Sequence, residues 1–198
     1  MKLTNLKHKN QFKFFMASKK SDLRPQLKQK RQHISPKTHQ ALSQIIVEKI
    51  QTQEIFKQAL HIGIYYPIHA EVNVLGLLKN QDKIFYLPHI NSQSRLEFRE
   101  VKALEDLIPN YWGIPEPKAE NLTGIPDLLI IPMLGFDIEC HRLGYGKGYY
   151  DGYLNTPKKP FCLGIAFDVQ QVQKLPHESY DINMDLIITD KKIISNSQ

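Results

Sequence analysis

Leu128-Leu129-Ile130-Ile131-Pro132, followed after a short connection by Arg142-Leu143-Gly144-Tyr145-Gly146-Lys147-Gly148-Tyr149-Tyr150-Asp151, is the stretch on which the fold of this chain turns. Its first segment is apolar at every position rather than at alternate ones, as in a strand buried on both faces of a parallel sheet. Its second has glycine at 144, 146 and 148. Glycine removes Cβ and permits positive φ, so backbone N–H groups can turn toward an anion and approach it closely. Arg142 and Lys147 add full positive charge at the rim. A strand running through such a loop into a helix would aim the helix N-terminus at the same point, which suits phosphate. The stretch predicts a polyphosphate cradle at the end of a strand in an α/β sheet.

It is neither of two familiar glycine motifs. A dinucleotide fingerprint needs G-x-G-x-x-G, whereas the third glycine here falls one residue early, at Gly148. A P-loop needs Ser or Thr after its lysine, and Lys147 is followed by Gly148.

The surrounding chain fits the same reading. Toward the N-terminus, Leu60 to Tyr66, Lys83 to Pro88 and the alternating Arg95 to Val101 are predicted strands, with a short helix over 72–79. Beyond the loop come a short helix over 148–154 and apolar strands at 161–167 and 186–189. A proline-rich connection runs from Trp112 to Pro117. Before all of these, a helix spans about 18–34. Pro25 is tolerated only in a first turn, so this helix is expected to start near Ser21 or Asp22. Ser35-Pro36 then supplies a cap and an N1 proline for a second helix, with Leu42, Ile45, Ile46, Lys49 and Ile50 on one face. Strands alternating with helices predict one three-layer α/β domain, its sheet mainly parallel and covered by helices on both faces.

Length and composition bound the function. The 198 residues, 41% of them hydrophobic, suffice for one substantial domain. Residues 1–40 hold eleven Lys or Arg against one acid, Asp22, so the net charge of +6 resides in the N-terminal region. Residues 1–17 are expected to form a basic extension and 18–198 the domain. No apolar run approaches the roughly 20 residues that span a bilayer, so the expectation is a cytoplasmic protein without a membrane partner. Cys140 and Cys162 lack the paired spacing of a zinc site and are expected to be free thiols.

The segment Pro132-Met133-Leu134-Gly135-Phe136-Asp137 together with Arg142 to Asp151 resembles the signature of the 5-formyltetrahydrofolate cyclo-ligases. Weaker similarity extends through Lys20-Ser21-Asp22-Leu23-Arg24, Trp112 to Pro117, Gly164 to Phe167 and Leu175 to Glu178. The resemblance implies an enzyme that uses ATP, with Mg²⁺, to convert 5-formyltetrahydrofolate to 5,10-methenyltetrahydrofolate. Partners would then be small molecules, with no nucleic acid, and the protein a monomer. A different reading of the residues alone is a basic-armed nucleic-acid-binding protein whose glycine loop clamps backbone phosphate.

Within the resemblance, Arg142 and Lys147 would act on the transferring phosphate, and Lys20, Arg24, Gly144, Tyr145, Gly146, Gly148, Tyr149 and Tyr150 would join them around ATP. Lys20 and Arg24, four residues apart, share one helix face; Arg24 offers a planar fork and Lys20 a point charge. The metal would lie at Asp151 and Asp181, because Mg²⁺ needs only one or two carboxylates beside substrate phosphates. Glu71 matches a folate-contacting glutamate, whose carboxylate can accept a pair of N–H donors from a pterin edge. Tyr66, Trp112 and Tyr150 are flat rings suited to stacking on the substrate. Three strand ends carry polar groups expected to converge: Glu71 after Tyr66, the glycine loop after Pro132, and Asp168 after Phe167. Cys140 stands where the family usually has glycine, which predicts strain if that position needs positive φ; beside Arg142, its thiol is expected to have a lowered pKa.

Overall fold

The computed structural model describes residues 19–196. The extension expected over residues 1–17 lies outside them. Helices α1 (Lys20–Gln32), α2 (Pro36–Thr52) and α3 (Glu54–Gln58) precede strand β1 (His61–Gly63), and a 3-10 turn over Leu75–Lys79 leads toward β2 (Ile84–Ile90) and β3 (Leu96–Glu100). Short strands follow: β4 (Ile108–Pro109), β5 (Pro115–Glu116) and β6 (Thr123–Gly124), then β7 (Leu128–Pro132), β8 (Gly135–Phe136) and β9 (Arg142–Leu143). Helix α4 (Tyr149–Leu154), β10 (Phe161–Ile165), β11 (Leu186–Ile188) and β12 (Ile193–Ser195) complete the chain.

Eight strands form the main sheet in the order β12-β11-β10-β7-β1-β2-β3-β6. Its five central strands, from β11 to β2, run parallel, and antiparallel strands close both edges. The apolar run of β7 explains its central place. Leu128 and Ile130 face one core with α2 and α3, while Leu129 and Ile131 face another with Leu154 of α4. All four are fully buried, each contributing about 1.5–3 kcal/mol. A third, small cluster seats α1 through Leu27 against Leu143 and Leu175. The β4–β5 hairpin is separate from the main sheet, and so is the β8–β9 pair that carries the chain into the glycine loop.

Several boundaries differ from those expected. Helix α1 starts at Lys20, with Lys19 as an N-cap that has no side-chain cap bond, so Pro25 lies in the second turn. The Gln26 side chain donates to the Asp22 carbonyl, supplying a local bond beside the proline. On α2 the buried face is Ser43, Ile46, Val47 and Ile50, and Ile45 is 39% exposed. Lys49 is drawn to the far end of the sheet, donating to the carbonyls of Thr189 and Asp190 at 3.0 and 2.8 Å. The cap itself is as expected, with Ser35 Oγ accepting from Thr38 N–H at 3.2 Å. β1 ends at Gly63, although Ile64 N–H still donates to Tyr86. The 72–79 helix shrinks to the 3-10 turn at 75–79, where Asn73 Oδ1 accepts from Leu75 N–H.

Candidate active site

Beyond the carboxyl ends of β1, β2 and β7 lies a cavity of about 390 Å³, the size of a small-molecule site. All but one of the residues expected at the site line it: Lys20, Arg24, Tyr66, Glu71, Trp112, Arg142, Gly144 to Asp151 and Asp181. Asp168 does not. Instead it accepts from Thr189 Oγ1 and pairs with Lys191 and Lys192 at the turn before β12, which hold the carboxylate away from the cavity wall.

The glycine loop is shaped as its sequence requires. Gly146 (φ +92°) and Gly148 (φ +70°) are left-handed, and Gly148 is the N-cap residue of α4. Arg24 Nε donates to the Gly144 carbonyl at 2.9 Å, and its guanidinium lies flat against Gly146, where a Cβ would meet Arg24 Cζ at 2.9 Å. Thus the first helix and the loop are fitted to each other by the missing side chain.

Two of the cations on the cavity wall are paired with carboxylates. Arg142 donates through Nη2 to Asp151, and Lys20 donates to Asp181. Arg142 Nη1 is buried without a partner, while its guanidinium lies 5.6 Å from the Tyr150 ring centroid. Burial, then the Glu71 charge, pushes the Tyr150 hydroxyl well above its ordinary range, so it stays neutral. Asp151 and Asp181 belong to different segments that meet here, with Ile182 N–H 3.5 Å from Asp151 Oδ1. Two carboxylates at one cavity wall are the hard oxygen donors that Mg²⁺ takes beside phosphate, so the residues fit that ion.

Glu71, which also lines the cavity, is 4% exposed. It follows two consecutive left-handed residues, His69 (φ 49°) and Ala70 (φ 61°), and accepts from Ile68 N–H at 3.0 Å. Burial raises its pKa, opposed by the Ile68 N–H, the Arg31 charge and the Tyr145 hydroxyl. Trp112 sits at the tip of the β4–β5 hairpin, 65% exposed, with the hairpin turned by Asn110 Oδ1, which accepts from Trp112 and Ile114 N–H.

Sequence reading missed Arg31. Fully buried, it donates to the carbonyls of His69 (3.1 Å) and Met133 (3.4 Å) and to the Tyr145 hydroxyl (2.6 Å), and its Nη1 stands 3.9 Å from Glu71. Its one local signal is that it shares a helix face with Leu27, four residues back.

Cys140 has φ +62° and is fully buried. The strain expected for a non-glycine residue is therefore present, but the expected reactive thiol is not. Burial, together with the charges of Asp137 and Asp185, pushes the thiol up to about 11. Asp137, Glu139 and His141 cluster nearby. The Asp137 carboxylate is already taken by the N–H groups of Glu139, His141 and Leu175 and by the His141 ring, so the cluster is a knot that ties the turn.

A mainly parallel α/β sheet with a glycine-rich, cationic loop at its strand ends and two carboxylates beside it defines an enzyme of the phosphate-handling class. Residues 16–190 match the model of the 5-formyltetrahydrofolate cyclo-ligase family. The chain belongs to that family. It is 30% identical to mouse 5-formyltetrahydrofolate cyclo-ligase over 86% of this chain and 93% of the relative, and 29% identical to the Escherichia coli K12 enzyme over 84% and 98%. The NMR structure of Aquifex aeolicus 5,10-methenyltetrahydrofolate synthetase superposes with a TM-score of 0.81 at 29% identity, covering 90% of this chain and 93% of that one.

Proposed function

We infer that this cavity closes 5-formyltetrahydrofolate to 5,10-methenyltetrahydrofolate with conversion of ATP to ADP and phosphate. The observation that carries the reading is the buried, unpartnered Nη1 of Arg142, a residue lining a cavity that also presents Glu71. The first supports a phosphoryl site, because it is an unsatisfied cation donor, and the second offers a carboxylate to N–H donors.

The formyl oxygen is a poor leaving group. Transfer of the γ-phosphoryl group from ATP to that oxygen breaks the terminal phosphoanhydride and releases ADP. N10 of the folate then attacks the activated carbon, its N–H proton is lost, and the C–O bond breaks with departure of phosphate. No protein nucleophile is needed; catalysis is alignment and charge neutralisation. Arg142 and Lys147 hold phosphate oxygens, Lys20 and Arg24 approach from α1, and the loop N–H groups complete the cradle. Asp151 and Asp181 would hold Mg²⁺, which supplies charge neutralisation at the phosphates. Glu71 accepts pterin N–H donors, and Tyr66, Trp112 and Tyr150 flank the ring. Among the described residues no helix is long and apolar enough to cross a membrane.

The test is release of ADP from ATP and Mg²⁺. It should depend on 5-formyltetrahydrofolate and match methenyl product mole for mole. ADP release at the same rate without the folate would overturn the reading.

A further inference from the structure

Arg31 is the one arginine among the described residues that is buried as deeply as the apolar core. A buried guanidinium is costly unless each arm is engaged, and removing a partner exposes that cost. Here its arms reach three separate pieces of chain: the turn before Glu71 through the His69 carbonyl, the end of β7 through the Met133 carbonyl, and the glycine loop through the Tyr145 hydroxyl. The turn needs such a brace. His69 and Ala70 are both left-handed, a conformation that costs non-glycine residues about 1–3 kcal/mol each, and it persists only when neighbours over-determine it. His39 adds a second tie, its Nε2 standing 2.8 Å from the Glu71 carbonyl oxygen.

We propose that Arg31 is a positioning residue: it locks the strained turn that presents Glu71 to Tyr145 of the glycine loop, fixing the folate end of the cavity relative to the nucleotide end. This rests on the folate reading of Glu71 given above. Arg31 need not touch either substrate.

The electrostatics run the same way. The groups facing the Glu71 carboxylate are Arg31 and the hydroxyls of Tyr145, Tyr65 and Tyr150; the three tyrosines are themselves held neutral by burial. Arg31 is thus the one cation opposing the burial that pushes Glu71 toward its neutral form. Without it the carboxyl titrates at a higher pH, and because only the anion accepts two pterin donors, folate affinity should rise with pH through that value.

The experiment is equilibrium titration of full-length protein with 5-formyltetrahydrofolate and, separately, with a non-hydrolysable ATP analogue and Mg²⁺, from pH 6 to 9. Wild type, Arg31→Met, Arg31→Lys, Glu71→Gln and the Arg31→Met/Glu71→Gln double variant are compared. Arg31→Met should lose at least tenfold in folate affinity at pH 7, recover part of it as the pH rises, and keep nucleotide affinity within threefold. The double variant should show no such slope. Arg31→Lys keeps the charge but not the fork, so it should lose folate affinity without acquiring the pH slope. If Arg31→Met fails to fold, Arg31→Lys decides: folate affinity within threefold of wild type overturns the proposal. So does an Arg31→Met protein whose affinities for both ligands fall equally, or whose folate binding has the wild-type pH profile. Glu71→Gln alone, if it leaves folate affinity unchanged, removes the reading of Glu71 itself whatever Arg31 does.

Discussion

Arg142 and Asp151, nine residues apart, face each other across the glycine loop as an ion pair, and one arm of the guanidinium is left buried and unbonded. Ligand-free, each charge has the other as its counterion. A phosphate oxygen admitted to this wall should find that arm uncommitted, without the pair having to part.

Arg142→Ala should therefore lower turnover by about 10²–10³, the effect of removing a preorganised donor where charge shifts in the transition state, with little change in folate affinity. Arg142→Lys should restore only part of it. Single-turnover phosphate release checks this, with circular dichroism to establish folding. A nucleic-acid-binding protein would instead show a salt slope shallower by about one and no turnover to lose.

Glu71→Gln should weaken folate binding by about 1.5–3 kcal/mol, since the amide keeps one acceptor but turns a donor toward pterin donors. Nucleotide affinity should hold. Calorimetric titration with each ligand reads the difference, and equal losses would mean that Glu71 serves the fold alone.

Two neighbouring glycines should behave oppositely. A Cβ at Gly146 would press on Arg24 in a left-handed backbone, whereas one at Gly144 meets nothing within 4 Å and has no positive φ. Gly146→Ala should cost about 1–3 kcal/mol of strain and at least tenfold in ATP affinity, and Gly144→Ala should stay within threefold. ATP titration combined with thermal melts separates the two.

Asp181 carries a pH dependence whose sign can be worked out. Burial pushes its pKa up, but hydrogen bonds from Lys20 and Glu178 N–H and the charges of Lys20 and His177 outweigh burial and hold it below the ordinary value. A depressed carboxyl contributes stability above its unfolded pKa of about 3.9, lost as pH falls through the folded value. Lys20→Met should therefore be less stable than wild type near pH 7, with the difference shrinking toward zero below about pH 4. Urea unfolding across that range is the measurement; a constant difference would show that the pair does not carry it.

Neither cysteine should react at pH 8, because burial pushes the thiols of Cys140 and Cys162 up to about 11 and about 12. Labelling with a thiol reagent should proceed only after unfolding. Labelling of the native protein at the unfolded rate would contradict the burial of both.

The parallel centre of the fold was written locally. β7 is apolar at successive positions, and the glycines of the loop announce their own backbone. Arg31 was not, since its partners lie 38, 102 and 114 residues away and a basic residue in a last turn ordinarily points to water. Asp168 shows the converse. The sequence puts it after a strand like the others, but what holds it elsewhere is the set of partners Lys191, Lys192 and Thr189, just over twenty residues further on. Pro25 misplaces the helix start because the rule confines proline to a first turn, whereas here it sits in the second turn of a helix that begins at Lys20. The hairpin bearing Trp112 is marked in sequence only as a proline-rich connection.

Helix α1 has Lys20 and Arg24 on the cavity wall near its start and Arg31 braced against the turn before Glu71 near its end. A helix rises about 1.5 Å per residue, so these grips stand roughly 16 Å apart on a stiff rod. Such a rod is a lever. A tilt of about five degrees pivoted at one grip carries the other through about 1.4 Å, enough to break a hydrogen bond. Any mutation that loosens the seat of Leu27, the fulcrum against Leu143 and Leu175, should be felt at both ends at once although it touches neither.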